Sequence, residues 1–176
     1  MTGHFAGGEL ALQAMAARGW TACVPAEHLQ PEAFFHWVCD LRSRHGHRFV
    51  ASDTQLKPLV QALRSGGGVV LTLDRDPTRS GWPVYLCGAV ARVPVGAAIL
   101  GQRYAARLIP LRSQRQADGR VLVTVGEPLP ALVGEPASKN HGQALAALAG
   151  TLERLIIAAP EQWVLTTPLW DSLDDV

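Results

Sequence analysis

The chain is short of several things, and each shortage removes a class of function. Its three cysteines, Cys23, Cys39 and Cys87, lie far apart and form no C-x-x-C pair. That spacing supports neither a disulfide framework nor a zinc site, so the thiols read as reduced and mostly buried. Charged residues make up only 18% and nearly cancel, with Lys+Arg 16 against Asp+Glu 15. The strongly basic surface that nucleic acid requires is therefore missing. Lysine is scarce: only Lys57 and Lys139 occur, and the other cations are arginines. No segment approaches the roughly 20 apolar residues that cross a bilayer. No basic stretch followed by an apolar run marks a signal peptide near Met1. The chain is expected neither to span a membrane nor to be exported. G-x-S-x-G is absent, and Gly66-Gly67-Gly68 runs into Val69-Val70 instead of Gly-Lys-Ser/Thr. Serine-nucleophile and P-loop chemistry are excluded on those grounds.

What is present is apolar and periodic. With 176 residues, 48% of them hydrophobic, the chain has material for one compact domain over 1–176. Leu10 to Arg18 reads as a helix stopped by Gly19, and Trp20 to Val24 as a short strand. Pro31 opens a second helix, with Glu32 in its first turn and Gly46 at its end. Phe34, Trp37, Val38 and Leu41 recur at helical spacing and form its apolar stripe. Arg48 to Ala51 reads as a strand and Gln55 to Ser65 as a helix ended by Gly66.

Val69 to Leu73 is the clearest strand, a β-branched run leading into Asp74-Arg75-Asp76, and Val84 to Ala89 is another candidate. Gly96 to Tyr104 suits a small-residue helix. Leu108 to Leu111 and Arg120 to Val125 flank Asp118-Gly119, a hairpin signal. Gln143 to Ala159 forms a last amphipathic helix before Pro160. Strands alternating with helices imply the α/β class, with a mixed, mostly parallel sheet and helices on both faces.

The chemistry concentrates at Thr2-Gly3-His4-Phe5-Ala6-Gly7-Gly8-Glu9-Leu10. His4 and Glu9 form an H-x-x-x-x-E pair, and none of the other five histidines has an acid five positions on. A histidine ahead of a Gly-rich turn, with an acid one turn into the next helix, lets a carboxylate reach back to one imidazole nitrogen. The other nitrogen then accepts a proton from a hydroxyl, which is general-base catalysis. The oxyanion formed at an attacked carbonyl needs donors, from the backbone N–H groups of that turn or from arginines.

This segment resembles the H-x-x-x-x-(D/E) signature of the lysophospholipid acyltransferase superfamily. Within it, the similarity is to the lipid A biosynthesis (lauroyl/myristoyl) and phosphatidylinositol mannoside acyltransferase branch, which typically reads G-H-F-G-N-W-E. Ala26-Glu27-His28-Leu29-Gln30-Pro31-Glu32 resembles its A-E-x-L-x-P-E, Arg42 to Gly46 its R-x-x-x-G, and Leu63-Arg64-Ser65-Gly66 its L-R-x-G. Leu73-Asp74-Arg75-Asp76 resembles A-D-R-D, Val93 to Ala98 resembles x-P-x-G-P-A, and Pro160-Glu161-Gln162-Trp163 matches P-E-Q-W. The likeness runs from residue 2 to about residue 170, in order.

The resemblance implies an acyltransferase domain in which His4 is the base and Glu9 its orienting partner. Glu27 and Arg42 would bind donor or acceptor head groups, with Asp74, Arg75 and Asp76 in the substrate site and Asp74 the further acid beside the histidine. It implies an acyl-CoA or acyl-carrier-protein thioester as co-substrate, and no metal or redox cofactor. The acceptor would be a hydroxyl of a membrane lipid or glycolipid, met at the cytoplasmic face of the inner membrane by a peripheral protein.

Two departures stand out. Gly7-Gly8 replaces the usual Asn-Trp. The family also carries a long segment with a membrane-anchoring helix before the histidine, so the chain is expected to be N-terminally truncated. Two alternatives follow from the residues. A lysophospholipid acyltransferase of glycerolipid synthesis would want E-G-T-R, where this chain has Asp74 to Arg79. A truncated, catalytically inactive lipid-binding homologue would keep the apolar faces and the terminal Trp163 and Trp170 for contact with the membrane interface.

Overall fold

The computed structural model describes residues 1–53, 57–76, 80–130 and 141–170. It has the α/β class that the alternation implies, and it divides into two compact units, Gly8–Leu71 and a second made of Met1–Gly7 with Thr72–Val176.

The Gly8–Leu71 unit is three helix–strand repeats. Helices α1 (Gly8–Ala16), α2 (Glu32–Ser43) and α3 (Lys57–Arg64) precede strands β1 (Ala22–Ala26), β2 (Arg48–Ala51) and β3 (Gly68–Val69). The strands form a parallel sheet in the order β2-β1-β3, with Cys23 opposite both Arg48 and Val69. The expected helix stops hold: Gly19, Gly46 and Gly66 follow the three helices with φ of 81°, 93° and 78°, the left-handed conformation that closes a helix. The expected start of α3 at Gln55 lies outside the described residues.

The buried set of this unit includes Ala11, Cys23, Phe35, Cys39, His47 and Leu59. On α2 the core positions are Phe35 and Cys39, whereas Phe34, Trp37 and Leu41 are exposed and Phe34 stacks on Trp37. Three of the four residues of the stripe read from the sequence thus face outward, Val38 is half-buried, and a shorter i, i+4 pair carries the packing. His47 is a core residue. Its Nε2–H donates to the Leu12 carbonyl at 2.7 Å while Nδ1 accepts from the Ala22 N–H at 3.2 Å. Both ring nitrogens are satisfied by neutral backbone, which accounts for an imidazole inside.

Among its described residues the other unit contains two antiparallel hairpins, two α-helices and a 3-10 turn at Pro160–Gln162. Strands β4 (Trp82–Leu86) and β5 (Ala89–Val93) pair around Cys87-Gly88, and β6 (Leu111–Arg115) and β7 (Val121–Val125) pair around Asp118-Gly119. Helix α4 is Gly96–Tyr104 and α5 is His141–Ile157. The second strand of the β4–β5 hairpin was not visible in the sequence. Cys87 and Gly88 both have positive φ, 51° and 90°, as a type I′ turn requires, but Cys-Gly is not one of its usual signals. Strand β6 starts at Leu111 and not Leu108, consistent with Pro110 lacking the N–H a ladder needs. Parallel and antiparallel strands thus occupy separate ladders among the described residues.

Helix α5 supplies the spine of this core. Leu145, Leu148, Leu152 and Ile156, spaced by three and four, are at most 4% exposed, and the helix packs against β4 and α4. Cutting any of these leucines to alanine costs about 2–5 kcal/mol.

Candidate active site

The run Val69–Leu73 is not one strand. Val69 pairs with Cys23 in β3, whereas Thr72 forms a parallel bridge with Thr2, and the Leu73 N–H donates to the Thr2 carbonyl at 3.0 Å. That pairing carries His4 and Asp74 side by side off the ends of two parallel extended segments. The chain around His4 is tied on its other edge too. Phe5 bridges Trp163 antiparallel, the Val164 N–H donates to the His4 carbonyl at 2.8 Å, and the Ala6 N–H donates to Gln162 O at 2.7 Å.

Asp74 receives three donors. Its Oδ1 lies 2.7 Å from His4 Nδ1. Its Oδ2 accepts from the His4 backbone N–H at 2.6 Å and from the Trp163 indole N–H at 2.8 Å. The side chain is 0% exposed. Burial pushes the carboxyl pKa up, but the bonds and charge of His4 and the indole of Trp163 outweigh it, and the net shift is downward. An ionised carboxylate can only accept, so the proton facing it sits on Nδ1. The His4 side chain is 40% exposed, and among the described residues Nε2 has no hydrogen-bond partner. An imidazole held as the Nδ1–H tautomer with a free Nε2 lone pair is built to accept a proton.

Two glycines make room for this arrangement. A Cβ on Gly3 would stand 2.8 Å from Asp74 Oδ2 and 3.1 Å from Leu152 Cδ1. Gly7 has φ of 81°, and a Cβ there would meet Val121 Cγ2 at 2.8 Å. The departure at position 7 therefore suits the backbone, since the left-handed region is also where asparagine is best tolerated among side-chain-bearing residues.

Glu9, read as the carboxylate reaching the imidazole, lies in the first turn of α1 and binds Arg42 Nη2 at 2.6 Å. The carboxylate on Nδ1 is that of Asp74, which the Thr2–Thr72 pairing delivers directly. Arg42, in the last turn of α2, also lies over the Phe49 ring at 5.6 Å. Glu27 follows β1 and is half-buried. Arg75 and Asp76 are half-buried beyond Asp74, and Asp76 Oδ2 accepts the Gly81 N–H. Thr78 and Arg79 lie outside the described residues. Of the turn N–H groups expected as oxyanion donors, that of Phe5 is already used by Gly3 O and that of Ala6 by Gln162 O.

Trp163 was read only as part of a closing motif, or as a residue for the membrane interface. Its indole N–H is spent on Asp74, and that of Trp170 on Leu86 O at 2.9 Å. Nothing in the sequence around a lone tryptophan signals such a contact. A second polar cluster surrounds His28: Nδ1 is 2.9 Å from Asp53 and Nε2 2.6 Å from Glu32, which also meets His36. Among the described residues no group of three or more His, Cys, Asp or Glu is arranged to hold a metal ion, and no helix is long and apolar enough to cross a membrane.

The model of a family described as bacterial lipid A biosynthesis acyltransferase matches residues 1–172. The chain is 28% identical over 171 residues to a phosphatidylinositol mannoside acyltransferase of Mycobacterium tuberculosis strain H37Rv, covering 95% of this chain and 52% of that protein. It is 27% identical over 149 residues to a phosphatidylinositol mannoside acyltransferase of Mycolicibacterium smegmatis, covering 82% and 47%. The chain thus spans about half the length of the curated relatives it matches.

Proposed function

The chain belongs to the bacterial lipid A biosynthesis acyltransferase family, and from that premise we propose that it moves a fatty acyl group from a thioester to a glycolipid hydroxyl. The observation that carries the reading is the 2.7 Å contact between His4 Nδ1 and a fully buried, ionised Asp74. His4 Nε2 takes the proton of the acceptor hydroxyl as its oxygen attacks the thioester carbonyl. The tetrahedral intermediate collapses with cleavage of the C–S bond, and the imidazolium returns the proton to the leaving thiolate. Asp74 stabilises the imidazolium and keeps the reactive tautomer, the role first expected of Glu9. The chemistry needs neither a metal nor a redox cofactor, because an imidazole is the base and no electrons change hands.

Arg42, braced by Glu9, is proposed as an anion binder for a phosphate of a donor or acceptor. Glu27, Arg75 and Asp76 are proposed to contact polar head groups. The donor is acyl-CoA or acyl-carrier protein. The acceptor we favour is of the phosphatidylinositol mannoside type, because both relatives described above carry that name. The proposed place of work is the cytoplasmic face of the inner membrane, with this chain peripheral.

The test is release of free thiol from acyl-CoA and from acyl-carrier-protein thioesters in detergent, with a phosphoglycolipid extract as acceptor. Acceptor-dependent release with acylated glycolipid as product is expected. Binding of lipid with no release from either donor would point instead to the inactive lipid-binding homologue.

A further inference from the structure

We propose that Trp163 is a positioning residue for the base: its indole N–H pins Asp74 Oδ2 so that Oδ1 alone faces the His4 imidazole. This rests on the reading of His4 as the base. The geometry is specific. Trp163 Nε1 is 2.8 Å from Oδ2, which also takes the His4 backbone N–H at 2.6 Å, while Oδ1 is left to Nδ1 at 2.7 Å.

Two donors on one oxygen fix the rotation of the carboxylate and make that oxygen a poor proton acceptor. An indole N–H can only donate, so its bond favours the ionised carboxylate and it could not accept from a protonated Oδ2. The indole is itself braced. Trp170 meets it edge-on at 6.0 Å between ring centroids, and the Trp163 backbone bridges Phe5, next to His4. The residue after it is tied as well, since the Val164 N–H donates to the His4 carbonyl. The segment after α5 therefore holds the base and its acid together: backbone to backbone at His4, indole to carboxylate at Asp74. Asp74 is 0% exposed, so water is not at hand to replace the indole donor when it is removed.

The experiment replaces Trp163 with Phe, which keeps an aromatic ring and deletes the N–H. Three readouts are taken. First, the Asp74 side-chain carbon of carbon-13-labelled protein is followed through an acid titration, and its midpoint is expected to move upward in W163F. Second, acyl transfer is measured: kcat is expected to fall about tenfold to a hundredfold, the usual worth of a bond to a charged group, with KM little changed. Third, in the wild type, the Trp163 indole proton resonance is expected to shift through the Asp74 titration.

An unmoved Asp74 midpoint in a folded W163F would overturn the proposal, because a merely structural tryptophan has no reason to change that titration. An unchanged kcat would do the same. Were W163F to misfold, the wild-type indole resonance decides, and its indifference to Asp74 ionisation would overturn the idea. Absence of any acyl transfer would count against the proposed function but leave both titrations readable, so the two failures are distinguishable.

Discussion

His4 Nδ1 and Asp74 Oδ1 meet at 2.7 Å across 70 residues of sequence, and the His4 backbone N–H binds the other oxygen of the same carboxylate. Both the main chain and the side chain of the histidine are thus registered on one acid. Changing Asp74 to Asn tests what that registration does. With its oxygen on the two Oδ2 donors, the amide would turn an N–H toward Nδ1. The imidazole must then shift its proton to Nε2, which ends its use as a base. A loss of kcat of roughly a thousandfold to ten-thousandfold, with the fold retained, is expected. Steady-state kinetics with circular dichroism on D74N checks it.

Acid stability should depend on the same residue. The folded-state pKa of Asp74 is depressed below its ordinary value. Its contribution to stability is therefore fully present above the ordinary aspartate pKa of about 4, and is lost as pH falls through the depressed folded value. Thermal melts taken downward from neutral pH should show wild type losing its margin in that acid window. D74N should start less stable and show a shallower fall there. Parallel pH profiles for the two proteins would contradict this.

His28 gives the opposite sign. Its pKa is raised, first by the bond to Asp53 and then by that to Glu32. Stability from this cluster is fully present below the ordinary histidine pKa and is lost as pH rises through the raised value. In a proton NMR titration His28 should hold its proton to higher pH than an unpaired histidine, and Asp53→Asn should lower its midpoint. Equal midpoints would remove the cluster.

Gly3→Ala probes how tightly the site is packed. The added methyl group would stand 2.8 Å from Asp74 Oδ2 and 3.2 Å from Phe5 Cε2. Either the carboxylate or the segment must shift, so a destabilisation of about 1–3 kcal/mol together with a fall in kcat is expected. Denaturant unfolding and turnover on the same preparation check both. A variant as stable and as active as wild type would show the site to be looser than described.

How much of this was legible depended on range. Helices with local stops were plain, because Gly19, Gly46 and Gly66 carry their own conformational reason. His4 stood out beside its Gly-rich turn, and Asp74 as an acid closing a β-branched run. What escaped was fixed by tertiary partners. Glu9 is five residues from His4, but its salt bridge is to Arg42, and no spacing rule reveals that. The outward face of α2 mimicked a core stripe because Phe34, Trp37 and Leu41 share helical spacing, whereas burial selected Phe35 and Cys39. Val69 to Leu73 looked like one strand because β-propensity cannot tell which partner each residue will pair with. Trp163 gave no local signal at all, since its one polar atom acts on a residue 89 positions away.

Whether His4 can act as the base is decided by the tautomer of its uncharged ring, read by nitrogen-15 NMR of the imidazole. The single proton is expected on Nδ1, with a bare Nε2 and a coupling between the Nδ1 proton and Asp74 that vanishes in D74N. A ring carrying its proton on Nε2 would have no lone pair to offer a hydroxyl, and would contradict His4 as the base.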